Sequence, residues 1–329
     1  MMFTFSCRWL ALFCGLAFFT GALGQAGPPA SGRDYPTHPV KLVAPFPAGS
    51  QTDLLARVMS SQFQEMLGQT FIVENRGGAQ GSIAAEAVAN SAADGYTLLL
   101  TTNSPMATNV SVFKKLSYDP MKDFSHIARI GVTMFVLMVQ PEFPFKTMDE
   151  LIRAAKSNPK KFSGGFGGGG GQVSLALLKS MAGVDIIDVS YKGVPQAITD
   201  VLGGSISFAF VDLGNAVTLA NSGKLRALGV TSERRTELAR DLPSIAETVP
   251  GYNLIAWLGL VAPAGTPPEI VAKLQETTFK ILSKSEVKTR LAALGIDIAP
   301  MASAEFSRFI QSEIARWAIL AKLANLRPE

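Results

Sequence analysis

Two short loops carry the residue types in this chain best suited to chemistry. Ala48-Gly49-Ser50-Gln51 runs into a helix expected from Thr52 or Asp53, and Gly167 to Gly171 runs into one expected from about Gln172. The first N–H groups of a helix have no acceptor within it, and that end carries roughly half a positive charge. Glycine and small side chains let a ligand approach those amides closely, so a carboxylate or phosphate can be held without Lys or Arg. One loop lies early in the chain and the other in its middle third. On separate lobes, the two helix starts would grip opposite ends of one small anion. A single Gly-rich connection would be read as a turn; the pair suggests a clamp.

Asp53 has two compatible readings. As a first-turn acid it is worth about 0.3–1 kcal/mol through the helix dipole. As a binding group it would accept hydrogen bonds from loop amides or from an amino group on the ligand. Tyr191, two residues before Gly193, reads either as an aromatic at the edge of the core or as a wall of the cleft.

Other chemistries find little to hold on to. Residues 165–170 match GxGxxG, with Asp188 at a suitable distance for a ribose contact. Inside a run of glycines that match is nearly automatic, and Lys160-Lys161-Phe162 make a poor buried strand before it. The two histidines, His38 and His126, have no metal-ligand spacing and are expected at the surface. There is no HExxH, GxSxG or GxxxxGK[ST] pattern. The expectation is no catalytic residue, no metal and no cofactor.

The elements that must position the loops follow from periodicity. Val40 to Ala44 reads as a strand broken by Pro45-Phe46-Pro47. Leu55, Val58, Met59, Phe63 and Met66 then form one apolar stripe of a helix that Gly68 ends. Phe71 to Glu74 and Tyr96 to Thr101 read as strands; between them the loop Arg76 to Gly81 opens a small-residue helix stopping near Asp94-Gly95. Further strands are expected at Val132 to Val139, Val184 to Val189, Ser205 to Val211, Leu225 to Thr231 and Trp257 to Ala262. Thr147-Met148-Asp149-Glu150 is a capping box. Thr266-Pro267-Pro268-Glu269 combines an N-cap, Pro at N1 and Glu at N3. Ser303 opens a terminal helix with a stripe through Phe306, Ile310, Ile314 and Trp317. Strand, loop and helix in alternation predict an α/β protein with largely parallel sheets.

Composition bounds the setting. Arg8, an apolar run from Trp9 to Phe19 and small residues ending near Gly24 form a cleavable secretory signal over residues 1–24. Residues 25–33 read as a linker. The apolar run falls short of the roughly 20 residues that a membrane-spanning helix needs. Both cysteines, Cys7 and Cys14, lie in the signal, so the exported chain is expected to hold no disulfide and no thiol metal site. The remaining length suggests two lobes or domains, and a hydrophobic fraction of 47% suffices for a core in each. The net charge of +4 is spread along the chain and suggests no nucleic-acid partner.

Taken in order, several stretches resemble one family. They are Tyr35-Pro36, Pro39-Val40, Pro45-Phe46-Pro47-Ala48-Gly49 through Asp53, Val73-Glu74-Asn75-Arg76, Asp94-Gly95-Tyr96-Thr97-Leu98, Tyr118-Asp119-Pro120, Tyr191-Lys192-Gly193, Gly223 to Leu228, Ala262 to Pro267 and Glu313 to Trp317. They look like the Bug-type receptors, the substrate-binding proteins of tripartite tricarboxylate transporters. The resemblance implies a type II periplasmic-binding-protein fold of two α/β lobes with a ligand cleft between them. Lobe 1 would hold residues 34–133 and 255–329, and lobe 2 residues 134–254. It implies a periplasmic monomer that binds a dicarboxylate, a tricarboxylate or an acidic amino acid and serves membrane transporter subunits. The binding residues it implies are Phe46, Ala48, Gly49, Ser50, Gln51, Asp53, Asn103, Gly168, Gly169, Gly170, Tyr191 and Asp212. Ser50-Gln51 departs from the family's Gly-rich loop, with a Gln side chain that would narrow the pocket or supply a donor. The run Gly167 to Gly171 lacks the family's hydroxyls, and Gln172 stands where many members carry His. Two alternatives remain open: a sensor subunit that binds the same solute and docks to a signalling protein, and an exported α/β enzyme.

Overall fold

Aliphatic runs too short for helices and bounded by Pro, Gly or Asn become strands, and the stretches between them with a 3.6-residue stripe become helices. The computed structural model describes residues 34–328; the signal at residues 1–24 and the linker at 25–33 lie outside them. In chain order the strands are β1 (Val40–Ala44), β2 (Phe71–Asn75), β3 (Thr97–Thr102), β4 (Phe124–Thr133), β5 (Phe135–Val139), β6 (Ser163–Phe166), β7 (Ile187–Ser190), β8 (Phe208–Asp212), β9 (Arg226–Val230), β10 (Ala256–Pro263) and β11 (Asp297–Ala302). The α-helices are α1 (Gln51–Leu67), α2 (Ser82–Ala89), α3 (Asn109–Val112), α4 (Met148–Ser157), α5 (Gly169–Ala182), α6 (Val194–Leu202), α7 (Leu213–Asn221), α8 (Pro268–Ser283), α9 (Ser285–Ala293) and α10 (Ser303–Leu323). Among the described residues, no helix is long and apolar enough to cross a membrane.

The strands form two sheets. One has six strands in the order β11-β4-β10-β3-β1-β2, the other five in the order β7-β6-β8-β5-β9. β1 runs parallel to β2 and β3, and β6 runs parallel to β7 and β8. Helices cover both faces, so β8 and β10 are buried along their whole length and read as unbroken apolar runs. This is an α/β architecture of two lobes, as alternation predicts, but its sheets are mixed and not largely parallel: β10 runs antiparallel to β3 and β4, β11 to β4, and β5 to β8 and β9.

The chain passes between the sheets where β4 ends at Thr133 and β5 begins at Phe135, and returns near Leu254. The run Val132 to Val139 is therefore two strands, because unbroken hydrophobicity does not report a change of sheet. A third connection comes from α10. Its Phe306, Ile310 and Trp317 pack into the core beneath the six-stranded sheet, whereas Leu320, Ala324 and Leu326 pack against the core of the other sheet. Ser180 Oγ, on α5, donates to Leu323 O at 2.7 Å.

Several expectations are corrected. The glycines at 164 and 165, ahead of the loop, belong to strand β6; a Cβ on Gly164 would lie 2.7 Å from the Phe208 ring. Helix α5 starts at Gly169, three residues before Gln172. Helix α2 ends at Ala89, short of Asp94. Thr266 does not cap α8: its Oγ1 donates to Pro263 O at 2.8 Å, and Pro267 takes the cap position. Three strands escaped the reading: β4, whose apolar pattern His126 and Arg129 interrupt; β6, which contains Gly164 and Gly165; and β11, an edge strand that bulges around Pro300. His126 is consequently buried on β4, with Nε2 2.9 Å from Pro120 O, while His38 is exposed and stacks on Tyr96.

Candidate binding site

The start of α1 is set by a turn that glycine favours. Pro45-Phe46-Pro47 ends β1, and Gly49 takes φ +81°, a left-handed conformation that side chains disfavour. Ser50 caps the helix, its Oγ accepting from Asp53 N at 3.4 Å. The Asp53 carboxylate turns back on the loop: Oδ2 accepts from Gly49 N at 3.0 Å and from Arg57 Nε at 3.2 Å, and Oδ1 pairs with Arg57 Nη2 at 3.0 Å. Burial alone would raise its pKa. The Gly49 amide, the Arg57 guanidinium and the Asn75 side chain outweigh that and hold it below the ordinary carboxylate range. Asp53 thus ties the loop to the helix.

The start of α5 has no side-chain cap. Gly168 occupies the cap position with extended backbone, and the first intrahelical bond runs from Gln172 N to Gly168 O at 3.0 Å. The amides of Gly169, Gly170 and Gly171 therefore have no acceptor within the helix.

These two helix starts meet at one cavity. Its polar lining comes from Ser50, Gln51 and Thr52 of α1, Thr102-Asn103-Ser104 at the end of β3, Thr133, and Asp212. Phe46, Phe135, Phe210 and Trp257 supply aromatic walls, and no Lys or Arg lines it among the described residues. Asn103 Nδ2 donates to Thr108 Oγ1 at 3.1 Å, which fixes the side-chain amide. Gln51 Nε2 donates to Thr133 Oγ1 at 2.9 Å and to Leu294 O at 2.7 Å. Both its hydrogens are spent there, so Gln51 walls the pocket with its side chain, and only its backbone N–H is left to offer. Asp212 is 4% exposed and caps α7. Its Oδ1 accepts from Asn215 N at 3.2 Å and its Oδ2 from Asn215 Nδ2 at 3.0 Å. Burial pushes its pKa up, and the two bonds from Asn215 oppose that.

The cleft is closed. Gln80 Nε2, on the first lobe, donates to Gln172 Oε1 on α5 at 2.8 Å. A Cβ added to Gly168 would lie 3.0 Å from the Phe46 ring, and one on Gly193 would lie 2.6 Å from Pro47 Cδ. One on Gly169 would meet Gln80 Oε1 at 2.8 Å and Thr108 Cγ2 at 2.9 Å. The glycine run is thus the surface on which the first lobe closes. Behind the cavity, Glu313 accepts from the indoles of Trp257 and Trp317 at 3.0 and 2.9 Å, which holds the Trp257 wall in place.

Of the residues expected to bind, Phe46, Ser50, Gln51, Asn103, Gly168, Gly170 and Asp212 line the cavity together. Ala48 and Gly49 are exposed, while Asp53 is buried behind the lining and holds the Gly49 amide. Gly169 faces Gln80 and Thr108. Tyr191 lies outside the lining, with its hydroxyl donating to Asp200 Oδ2 at 2.6 Å. The reading missed Thr102, Ser104, Thr133, Phe135, Phe210 and Trp257. The strand-end rule for α/β sheets would have pointed to Thr102 and Ser104; the aromatics look like ordinary core residues until the sheets are assembled.

Comparison with known proteins agrees with this fold. The profile of the tripartite tricarboxylate transporter family receptor, TctC, matches residues 55–326. Protein BugT of Bordetella pertussis is 33% identical over 311 residues, covering 93% of this chain and 95% of its own. Among solved structures, Rpa4515 of R. palustris with adipate has a TM-score of 0.87 at 36% identity, covering 90% of this chain and 100% of that one. MatC from Rhodopseudomonas palustris with bound malate has a TM-score of 0.81 at 32% identity, covering 87% and 99%. The periplasmic binding protein BugD has 0.85 at 30% identity, covering 90% and 100%.

Proposed function

The chain belongs to the tripartite tricarboxylate transporter receptor family, and from that premise we propose that it captures a small carboxylate in the periplasm and presents it to membrane transporter subunits. Members of this family are solute-binding receptors and not enzymes. One observation carries the ligand class: two helix N-termini, α1 capped only by Ser50 and α5 by no side chain, open on one cavity that no Lys or Arg lines among the described residues. An anion there is held by backbone amides and helix dipoles. The adipate and malate bound by two relatives support the same class.

In this reading Phe46, Ser50, Gln51, Asn103, Gly168, Gly170 and Asp212 contact the ligand. Ala48, Gly49 and Asp53 shape the first loop, Gly169 sits on the closure surface, and Tyr191 supports the rim of the second lobe. The lobes comprise residues 34–133 with 255–329, and residues 134–254. Opening turns about the crossings at Met134 and Leu254, with the end of α10 yielding alongside. Residues 1–24 are removed on export.

The test is thermal-shift screening of the protein lacking residues 1–24 against mono-, di- and tricarboxylates, acidic amino acids, and neutral and aromatic solutes. A ligand at 100 times its Kd stabilises by about 2.7 kcal/mol. Melting shifts from neutral solutes and none from any carboxylate would sink the proposal.

A further inference from the structure

The cavity is electrically lopsided. Its positive character comes from helix starts worth roughly half a charge each: those of α1 and α5 present amides to the cavity, that of α6 reaches it at Val194, and that of α7 is already capped by Asp212. Its one charged side chain is acidic: Asp212 is the sole Asp, Glu, Lys, Arg or His in the lining among the described residues. A dianion seated there would bring a second negative charge into a desolvated space shared with a carboxyl group and no cation. Like charges at such range repel strongly once water is excluded.

Asp212 also has capacity to spare. A carboxylate offers about four acceptor positions, and Asn215 fills two, one on each oxygen. Both oxygens act as acceptors toward Asn215, and these two bonds oppose the rise in pKa that burial imposes. Resting on the reading of this cavity as a carboxylate site, we infer that Asp212 selects the ligand's second pole as a hydrogen-bond donor. The receptor then takes monocarboxylates bearing a distal hydroxyl or ammonium group in preference to dicarboxylate dianions of the same length. An ammonium or hydroxyl proton occupies the free acceptor positions of Asp212, while the ligand carboxylate lies on the amides of α1 and α5. The aromatic walls bury the chain between the two poles.

The test is calorimetric titration at about pH 8, where dicarboxylates are dianions, of two matched sets of probes: 6-aminohexanoate, 6-hydroxyhexanoate and adipate, then 4-aminobutanoate, 4-hydroxybutanoate and succinate. In one set or both, the amino or hydroxy acid should bind at least about tenfold tighter than its dicarboxylate. Asp212→Asn preserves the helix cap, since Asn caps as well as Asp. That variant should lose most of the preference and bind the dicarboxylate more tightly than the native protein does. A native protein that binds the dicarboxylate as tightly or more tightly overturns the inference. So does an Asp212→Asn variant that keeps the native order, or one that weakens dicarboxylate binding, the mark of a protonated Asp212 donating to a ligand carboxylate. If none of the six binds while other carboxylates raise the melting temperature, the inference falls and the carboxylate reading stands; if no carboxylate of any kind binds, the reading itself falls.

Discussion

Gly169→Ala separates closure from folding. Gly169 opens α5 with ordinary helical backbone, so alanine meets no conformational obstacle there. Its new methyl group would lie 2.8 Å from Gln80 Oε1 and 2.9 Å from Thr108 Cγ2, both on the opposite lobe. Gln80 can shift the end of its side chain. Thr108 cannot: it is fully buried, β-branched and hydrogen-bonded to Asn103. Overpacking of this kind costs about 1–3 kcal/mol, and it bears on the closed form alone, because the neighbours withdraw when the cleft opens. Ligand Kd should therefore rise about 5–150-fold. The ligand-free melting temperature should stay level or rise, since Gly to Ala in a helix is worth up to about 1 kcal/mol. Gly167→Ala is the contrast: its methyl would lie 2.1 Å from the Val194 backbone nitrogen within the same lobe, and the protein should lose stability with or without ligand. Calorimetry for Kd and a thermal melt of the ligand-free protein read both effects. If Gly169→Ala lowers the ligand-free melting temperature as Gly167→Ala does, or leaves Kd unchanged, the glycine run is not a closure surface.

Three further outcomes follow from named contacts. Gln80 holds a left-handed backbone, φ 53°, while reaching across to Gln172; Gln80→Gly relieves that conformation and removes a bond worth about 0.5–1.5 kcal/mol, so stopped-flow release should quicken about 2–13-fold, and an unchanged rate counts against the latch. Glu313→Ala strands two buried indole N–H groups at about 1–3 kcal/mol each, so urea unfolding should show a loss of about 2–6 kcal/mol, and a loss under about 1 kcal/mol would mean that the tryptophans find other partners. Burial lowers the pKa of His126 below its ordinary 6.5. The unfolded chain then binds its proton first, so this contribution to stability is complete above about pH 6.5 and falls away as the pH drops toward the folded-state value. His126→Gln should flatten that part of the stability profile, and an unaltered slope would contradict the assignment.

What was legible in the sequence was what short-range physics decides. The loop ahead of α1 and the apolar stripe from Leu55 to Met66 are local, and so is the alternation that announces an α/β fold; that Ser50 caps the helix, which starts at Gln51 and not at Thr52 or Asp53, was not read. What stayed hidden depends on assembly. Thr133 joins the site because β4 ends beside α1, and Phe135, Phe210 and Trp257 wall it because two sheets face each other across the cleft. The glycine run was visible, and so was its position before a helix. That each glycine answers to a different close neighbour, Phe46 for Gly168 and Thr108 for Gly169, required the closed arrangement. Asp53 looked like a ligand group because it stands in the right loop; its commitment to Gly49 and Arg57 is a matter of side-chain geometry that spacing does not reveal.

The central claim is that backbone amides at two helix starts hold a negative charge. The most direct test takes a carboxylate that raises the melting temperature and measures its Kd beside that of the primary amide of the same shape. The amide keeps the size and the hydrogen-bonding oxygen but carries no charge, and charge-assisted bonds are roughly twice as strong as neutral ones. With several amides converging, the account predicts that the amide binds at least about a hundredfold more weakly, close to 2.7 kcal/mol. Equal affinity for acid and amide would show that the helix starts do not hold an anion, and would contradict the account.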